Sequence, residues 1–344
     1  VEDRGDEPLV LPLGVGALLV PRAVGVRGVE EGDTGVERRG HQRIFLGLGL
    51  ADDHEALLVG FDRVTGRTAD QLPEANGFMV SNVEPPAEFK DRVWFALMRQ
   101  PAGSLDMFTM MAADVIESLN RASREGQDNL FGLFLGRIQA WQNFMRHSED
   151  GVLSPDAEVG LHGELELLRL VLEAGVPPEK AISVWVGPLG GIQDFRIGTG
   201  AIEVKTTISA NSFPATIFSL EQLDDDLVRP LFLAGIRLKM DETGVNLSER
   251  VKQVSDKLRS DMATLHTFEN RVLQAGFSPA MADRYPRRFC EGGARILPVS
   301  GAFPRITRAV IRQGILRANY EIDIDLVQTG EISLDSALRS LGAL

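Results

Sequence analysis

Apolar positions along this chain follow two different periods, and the change between them divides it. Over the first hundred residues they come in short runs separated by Gly-rich and charged stretches. RIFLGLGL (43–50) and EALLVGF (55–61) flank ADDH, the pattern of two strands joined by a hairpin turn. Residues 1–100 are therefore expected to form a β-rich N-terminal domain. Near residue 104 the period lengthens. SLDMFTMMAADVIESL and NLFGLFLGRIQAWQNFMR place apolar residues at helical spacing on either side of the polar SREGQDN, which predicts a helical connector over 101–160. Leu153-Ser154-Pro155-Asp156 opens a further helix, with Ser154 as N-cap and Pro155 at the first helical position.

Residues 161–240 alternate more quickly. GELELLRLVLEAG (163–175) reads as a helix closed by Gly175. AISVWVG (181–187), IQDFRIG (192–198) and AIEVKTTIS (201–209) read as strands, separated by GPLGG and by a two-residue TG turn. ATIFSLEQLDDDL (215–227) suggests a short strand running into a helical turn. The unbroken apolar run of PLFLAGIRL (230–238) suits the centre of a sheet. Beyond it the pattern predicts one helix across 246–275, a loop, and strands around 308–328, together a C-terminal α/β extension over 241–344. The fold class that follows is α+β or α/β.

Composition narrows the class. Of 344 residues 44% are apolar and 25% charged, the balance of a soluble globular protein. Cys290 is the one cysteine, so no disulfide framework exists and a reducing, cytoplasmic setting is the simplest expectation. No apolar run approaches the roughly 18 residues that cross a bilayer, so no membrane partner is expected. LVLPLGVGALLV (9–20) follows the acidic VEDRGDEP where a secretory signal would carry basic residues. It reads as a buried strand pair or as a misassigned start. Net charge is −13, which argues against a protein that coats nucleic acid with its whole surface. That charge is uneven. Between Arg284 and Arg317 eight arginines face a single acid, Glu291. Arg287, Arg288, Arg305, Arg308 and Arg312 in this stretch are candidates for phosphate contact, with a charge-balancing surface as the equal alternative.

Candidate chemistry concentrates on the strand at 201–209. Alternation places Glu203 and Lys205 on one face and Ile202, Val204 and Ile208 on the other. A two-residue turn pairs this strand with the one before it, which brings Asp194 within reach of both. Two carboxylates held close favour a hard divalent cation, magnesium or manganese rather than zinc. On the helix, Glu164 is followed at i+3, i+4 and i+7 by Leu167, Leu168 and Val171, so it faces the sheet; Glu166 is expected to face solvent. No phosphate loop, HExxH or CxxC pair is present, and the five histidines are scattered. His162, beside the site, reads as a helix-start residue, and Trp141 and Trp185 as core.

Gly163-Glu164 on a helix, then Asp194, then Glu203-Val204-Lys205, in the order α–β–β–β–α–β, resembles the PD-(D/E)XK nuclease superfamily. A longer set of segments is similar to the bacterial PD-(D/E)XK-motif proteins of phage-defence gene islands: AWQNFM (140–145), GLHGELELL (160–168), QDFRIGTGAIEVKTT (193–207), SLEQL (219–223), LFLAGIRL (231–238) and FPRIT (303–307). Gln193 stands where the motif has proline. The resemblance implies a restriction-endonuclease-like core over 161–240 and a Mg²⁺-dependent DNA endonuclease, with Mn²⁺ as a substitute. It implies that Asp194, Glu203 and the Val204 carbonyl hold the metal, that Glu164 ligates it directly or through water, and that Lys205 activates the attacking water. Gln222 would add a contact near the scissile phosphate. Expected partners are DNA, a helicase-like ATPase, a DNA methyltransferase and a second copy of the chain. The competing expectation is a DNA-binding or scaffolding subunit that keeps the fold and does not cut.

Overall fold

A computed structural model of the chain describes residues 44–344, apart from 52–53, 63, 65–71, 76, 85–91 and 148–151. The expectation for 9–20 falls outside the described residues. The chain divides into two compact units, with the boundary between Asn143 and Phe144.

In the first unit, β1 (Ile44–Ala51) and β2 (His54–Phe61) form the hairpin that the ADDH turn predicts. With β3 (Glu74–Ala75), β4 (Phe78–Val83) and β5 (Val93–Arg99) they make an antiparallel sheet in the order β1-β2-β5-β4-β3. Two helices follow, α1 (Leu105–Arg124), capped by the Ser104 side chain, and α2 (Leu130–His147). Phe61 and Phe95 of the sheet meet Phe131 of α2 at ring-centroid distances of 5.4 and 4.8 Å. Asp114 of α1 accepts two hydrogen bonds from Arg137 and one from the Trp141 indole, all within 2.7 Å. Trp141 is thus core, as its helical pattern predicts.

The second unit is built on a four-stranded sheet in the order β10-β9-β7-β6. Its opening helix, α3 (Pro155–Glu173), begins as expected: Ser154 Oγ accepts from the Ala157 amide at 3.2 Å and Pro155 sits in the first turn. The helix ends where Gly175 turns at φ +94°, a left-handed conformation that glycine adopts without steric cost. Residues 181–187 are not a strand: Pro178–Val184 form the short helix α4. Pro178 presets the first helical φ, and Ala181, Ile182 and Trp185 bury themselves on one side of a turn. Trp185 joins the sheet as an isolated bridge to Phe195. Arg271 donates to the carbonyls of Ile182, Ser183 and Trp185 and so closes the end of α4.

β6 (Phe195–Ile197) and β7 (Gly200–Thr207) form the expected hairpin, one residue out of the expected frame. The turn is Gly198-Thr199, with Gly198 at φ +59° and Gly200 inside β7. β7 then pairs in parallel with β9 (Leu231–Val245), whose antiparallel partner is β10 (Phe289–Pro298). The helical turn expected between β7 and β9 is absent. After β8 (Pro214–Ile217) the chain passes through turns, because Asp224 accepts from the Asp226 amide and the Asp-rich run favours local side-chain bonds over helix. The α–β–β–β–α–β order is therefore met only in part. Two further expectations are corrected. The predicted 246–275 helix is two helices, α5 (Leu247–Leu258) and α6 (Met262–Gln274), because Asp261 caps a new start by accepting from Thr264. The expected loop at 284–307 contains strand β10, whereas 308–328 holds only β11 (Tyr320–Asp323), paired with β8. The chain ends in α7 (Leu334–Ser340).

Two apolar layers sandwich this sheet. Ile202 and Val204 of β7 face α3, α5 and α6, while Ala201, Leu231 and Leu233 face β8 and the segments around it. No helix among the described residues is long and apolar enough to cross a membrane.

Candidate active site

β6 is only three residues long, so the edge of β7 beyond Ile202 has no strand beside it. That edge is where the candidate chemistry lies. The hairpin register, Phe195 opposite Ile202, places Asp194 across from Glu203 one step beyond β6. Asp194 Oδ2 accepts the Val204 amide at 2.7 Å, taking the ladder bond that a longer strand would have made. On the face turned away from α3, Glu203 and Lys205 form an ion pair at 2.8 Å. Glu203 is 1% exposed, and its second oxygen, Oε2, is buried without a hydrogen-bond partner.

Glu164 reaches this edge from α3. Its carboxylate accepts the Trp185 indole N–H at 2.8 Å. A Cβ placed on Gly187 would stand 2.8 Å from Glu164 Oε2 and 2.9 Å from Asp194 Oδ1. Both oxygens therefore border one small space that a side chain at 187 would fill. Glu164 and Asp194 keep some solvent-exposed area, yet protein surrounds their carboxyl groups on nearly all sides.

Burial raises the proton affinity of all three acids. Desolvation pushes Glu203 up to about 8, helped by the Asp194 charge and opposed by Lys205. It pushes Asp194 up to about 6 against the Val204 amide and Lys205. It raises Glu164 well above the ordinary carboxylate range, with Asp194 and Glu203 adding repulsion. Three acids sharing one lysine form a site short of positive charge, and such clusters accept divalent cations. Among the described residues no three His, Cys, Asp or Glu side chains are already set as a metal cage. The donor set nevertheless fits one: all ligands are oxygens, Glu203 Oε2 is unpaired, and the Gly187 backbone leaves room between Glu164 and Asp194.

Gln222 lies on the crossover. Its Oε1 accepts the Phe218 amide at 2.7 Å, so the side chain closes a turn. Gln193, where the motif has proline, is 3% exposed and donates to the carbonyls of Glu221 and Gln222 at 3.1 and 3.2 Å. It fastens the crossover to the residue beside Asp194. Sequence reasoning missed this role, together with those of Trp185 and Gly187, because each depends on a partner far along the chain. The GPLGG glycines were the available signal for Gly187.

The expectation that Glu166 faces solvent is corrected. It is 3% exposed and pairs with Arg169 at 2.6 Å and Arg250 at 2.8 Å. α5 packs over that side of α3 and supplies Arg250, which the spacing within α3 could not reveal. His162 is fully buried, contacts the Val245 carbonyl at 3.3 Å and stacks edge-on against Phe289.

The arginines do not form one open surface. Arg287 pairs with Glu158, Arg288 with Glu249, Arg305 with Asp225 and Arg308 with Glu221, each at 2.7 Å. Arg312 and Arg317 are exposed. Of this set, Arg308 lies nearest the site in connectivity, through Glu221 and Gln193.

A helix and a hairpin thus bring Glu164, Asp194, Glu203 and Lys205 to one strand edge. A family model described as "Putative PD-(D/E)XK family member, (DUF4420)" matches residues 27–325, and the chain belongs to that family. No curated protein and no solved structure matches it.

Proposed function

We propose that this protein is a Mg²⁺-dependent endonuclease that hydrolyses DNA phosphodiester bonds, the nuclease component of a restriction or phage-defence system. The observation that carries this reading is the buried, unpaired Glu203 Oε2 beside Asp194, Glu164 and Lys205. A buried carboxylate oxygen without a partner costs stability, and a cation would relieve that cost.

Asp194, Glu203 and Glu164 would hold the metal, displacing protons from the three acids. The Val204 carbonyl is a fourth donor. In an extended strand the N–H and C=O of one residue point to the same side, so this carbonyl shares the open edge with the amide that Asp194 accepts. The metal would supply a Lewis acid for the phosphoryl oxygen and the attacking water. Lys205 would leave Glu203 to orient that water and to stabilise negative charge on the phosphate. Gln222 would hold the crossover turn beside the phosphate. A helicase-like ATPase, a DNA methyltransferase and a second copy of the chain are the proposed partners.

The test is nicking and linearisation of supercoiled plasmid with Mg²⁺, with Mn²⁺ and with EDTA, using the unsubstituted protein and Lys205→Ala. Cutting that needs the metal and Lys205 supports the reading. Metal-independent DNA binding with no cutting would favour the scaffolding subunit instead.

A further inference from the structure

Phe218 follows β8 directly and is 70% exposed, and the turn that carries it is held in place. Its amide is held by Gln222, and the same turn is tied down twice more. The buried Gln193 binds the carbonyls of Glu221 and Gln222, and Arg308 pairs with the Glu221 carboxylate. The ring lies over Lys205, with Nζ 5.4 Å from its centroid. One side of the ring thus contacts the lysine of the candidate site. A single exposed apolar residue is ordinary on a protein surface. An exposed aromatic ring on a turn anchored at three points, set over a site lysine, is a candidate stacking surface.

Through the Arg308–Glu221 pair a second segment is tied to this turn. The segment that starts at Arg308 continues through the exposed Arg312 and Arg317, and it also exposes Val310 (69%) and Leu316 (77%). Aromatic faces bordered by arginines suit single-stranded nucleic acid, because an unpaired base offers a free π-face and a flexible backbone brings its phosphate to the cations. Inside a duplex both faces of each base are already stacked on neighbours, so a fixed ring here would find no partner without distortion.

We infer that Phe218 is a base-stacking residue, and that the site acts on DNA with at least one unpaired nucleotide next to the scissile phosphate. This rests on the nuclease reading above and names its substrate class.

The experiment measures binding and cutting separately. Binding uses the Asp194→Asn protein, which retains Lys205 and Phe218, with oligonucleotides carrying 2-aminopurine in a single strand or in a duplex. Cutting uses Mg²⁺ and otherwise identical substrates with and without an unpaired segment. Phe218→Ala should weaken single-strand binding about tenfold and remove the 2-aminopurine quenching, in line with the loss of one base–aromatic stack. Duplex binding should change less than twofold, and Phe218→Trp should restore the quenching. The preference for cutting unpaired over paired substrate should fall by a similar factor. Equal loss on paired and unpaired substrates, or loss of cutting with binding and quenching unchanged, would mean that Phe218 only shields Lys205, and the inference falls. If the unsubstituted protein neither binds DNA nor cuts it with Mg²⁺, the nuclease reading itself fails and this inference with it. Metal-dependent cutting with no preference for unpaired substrate sinks the inference alone.

Discussion

Two buried acids two residues apart on α3 have opposite surroundings. Glu166 meets Arg169 and Arg250, which also reach Glu291, and Arg169 further pairs with Glu173, itself bound by Lys257. In that network three cations face three acids. Glu164 looks the other way, towards Asp194 and Glu203, where three acids share Lys205. Burial alone therefore does not mark a functional carboxylate. What separates the two regions is charge balance: a structural acid is neutralised by the protein, whereas the candidate site is left short of positive charge that a ligand can bring.

The largest expected effect falls on the balanced side. Arg250→Ala leaves Glu166 buried with one cation fewer, and should lower unfolding stability by about 3–5 kcal/mol, read by chemical denaturation. If stability drops by less than about 1 kcal/mol, the network is not structural and the contrast collapses. On the other side, Lys205→Ala should cut the rate of Mg²⁺-dependent cleavage by about 10²–10³-fold, the loss typical of a missing transition-state donor, with an unfolding midpoint close to that of the unsubstituted protein. Equal loss of folding and activity would make Glu203–Lys205 an ordinary ion pair.

Stability against pH sharpens the comparison. The folded-state pKa values of Glu203 and Asp194 lie above their unfolded values. Each group therefore favours the folded state most at low pH, and that contribution is lost as pH rises from the ordinary carboxylate range through about 6 for Asp194 and about 8 for Glu203. His162 acts in the opposite sense below its unfolded value, because burial lowers it to about 4. Between pH 6.5 and 8 the carboxylates outweigh the fading contribution of His162, so metal-free protein should melt at progressively lower temperature across that window. Millimolar Mg²⁺ should flatten the decline. Asp194→Asn should reduce the Mg²⁺ effect while raising metal-free stability, since one repelling charge is gone. A melting temperature that climbs across this window without metal contradicts the strained-acid picture. The smallest effect concerns salt. Reversing Arg308 and Arg312 should weaken DNA binding and make the slope of log K against log salt shallower by about one unit per lost phosphate contact. Reversing Arg287 and Arg288, which Glu158 and Glu249 occupy, should change it less. Identical slopes for both pairs would assign all four to charge balance.

The sequence made the hairpin legible through its two-residue turn, although the turn at Gly198-Thr199 sets Asp194 opposite Glu203 where the expected TG turn would have set it opposite Lys205. Asp194, Glu203 and Lys205 could thus be placed together before any tertiary contact was known, and Glu164 followed from helical spacing. α4 was not legible: its β-branched residues suit a strand, and Pro178 decided the matter locally while Arg271 sealed it from 86–89 residues away. Glu166 failed for a related reason. Spacing along α3 locates a face, but whether that face meets water depends on α5, which supplies Arg250. The arginine stretch showed a surplus along the chain that is partly balanced in space, because Glu158, Asp225 and Glu249 come from distant segments.

One small feature governs how accurately this site can be built. A methyl group on Gly163 would lie 1.9 Å from Thr206 Oγ1 and 2.8 Å from its Cβ. The helix that carries Glu164 therefore rests directly on the strand that carries Lys205, with no side chain between them at that point. The gap between the two elements works like a machined seat, whose tolerance is set by a hydrogen atom where every other amino acid has carbon. Gly163→Ala would act as a shim: the chain would still assemble, but the helix would ride high on the sheet and Glu164 would miss its neighbours by about the thickness of the insert.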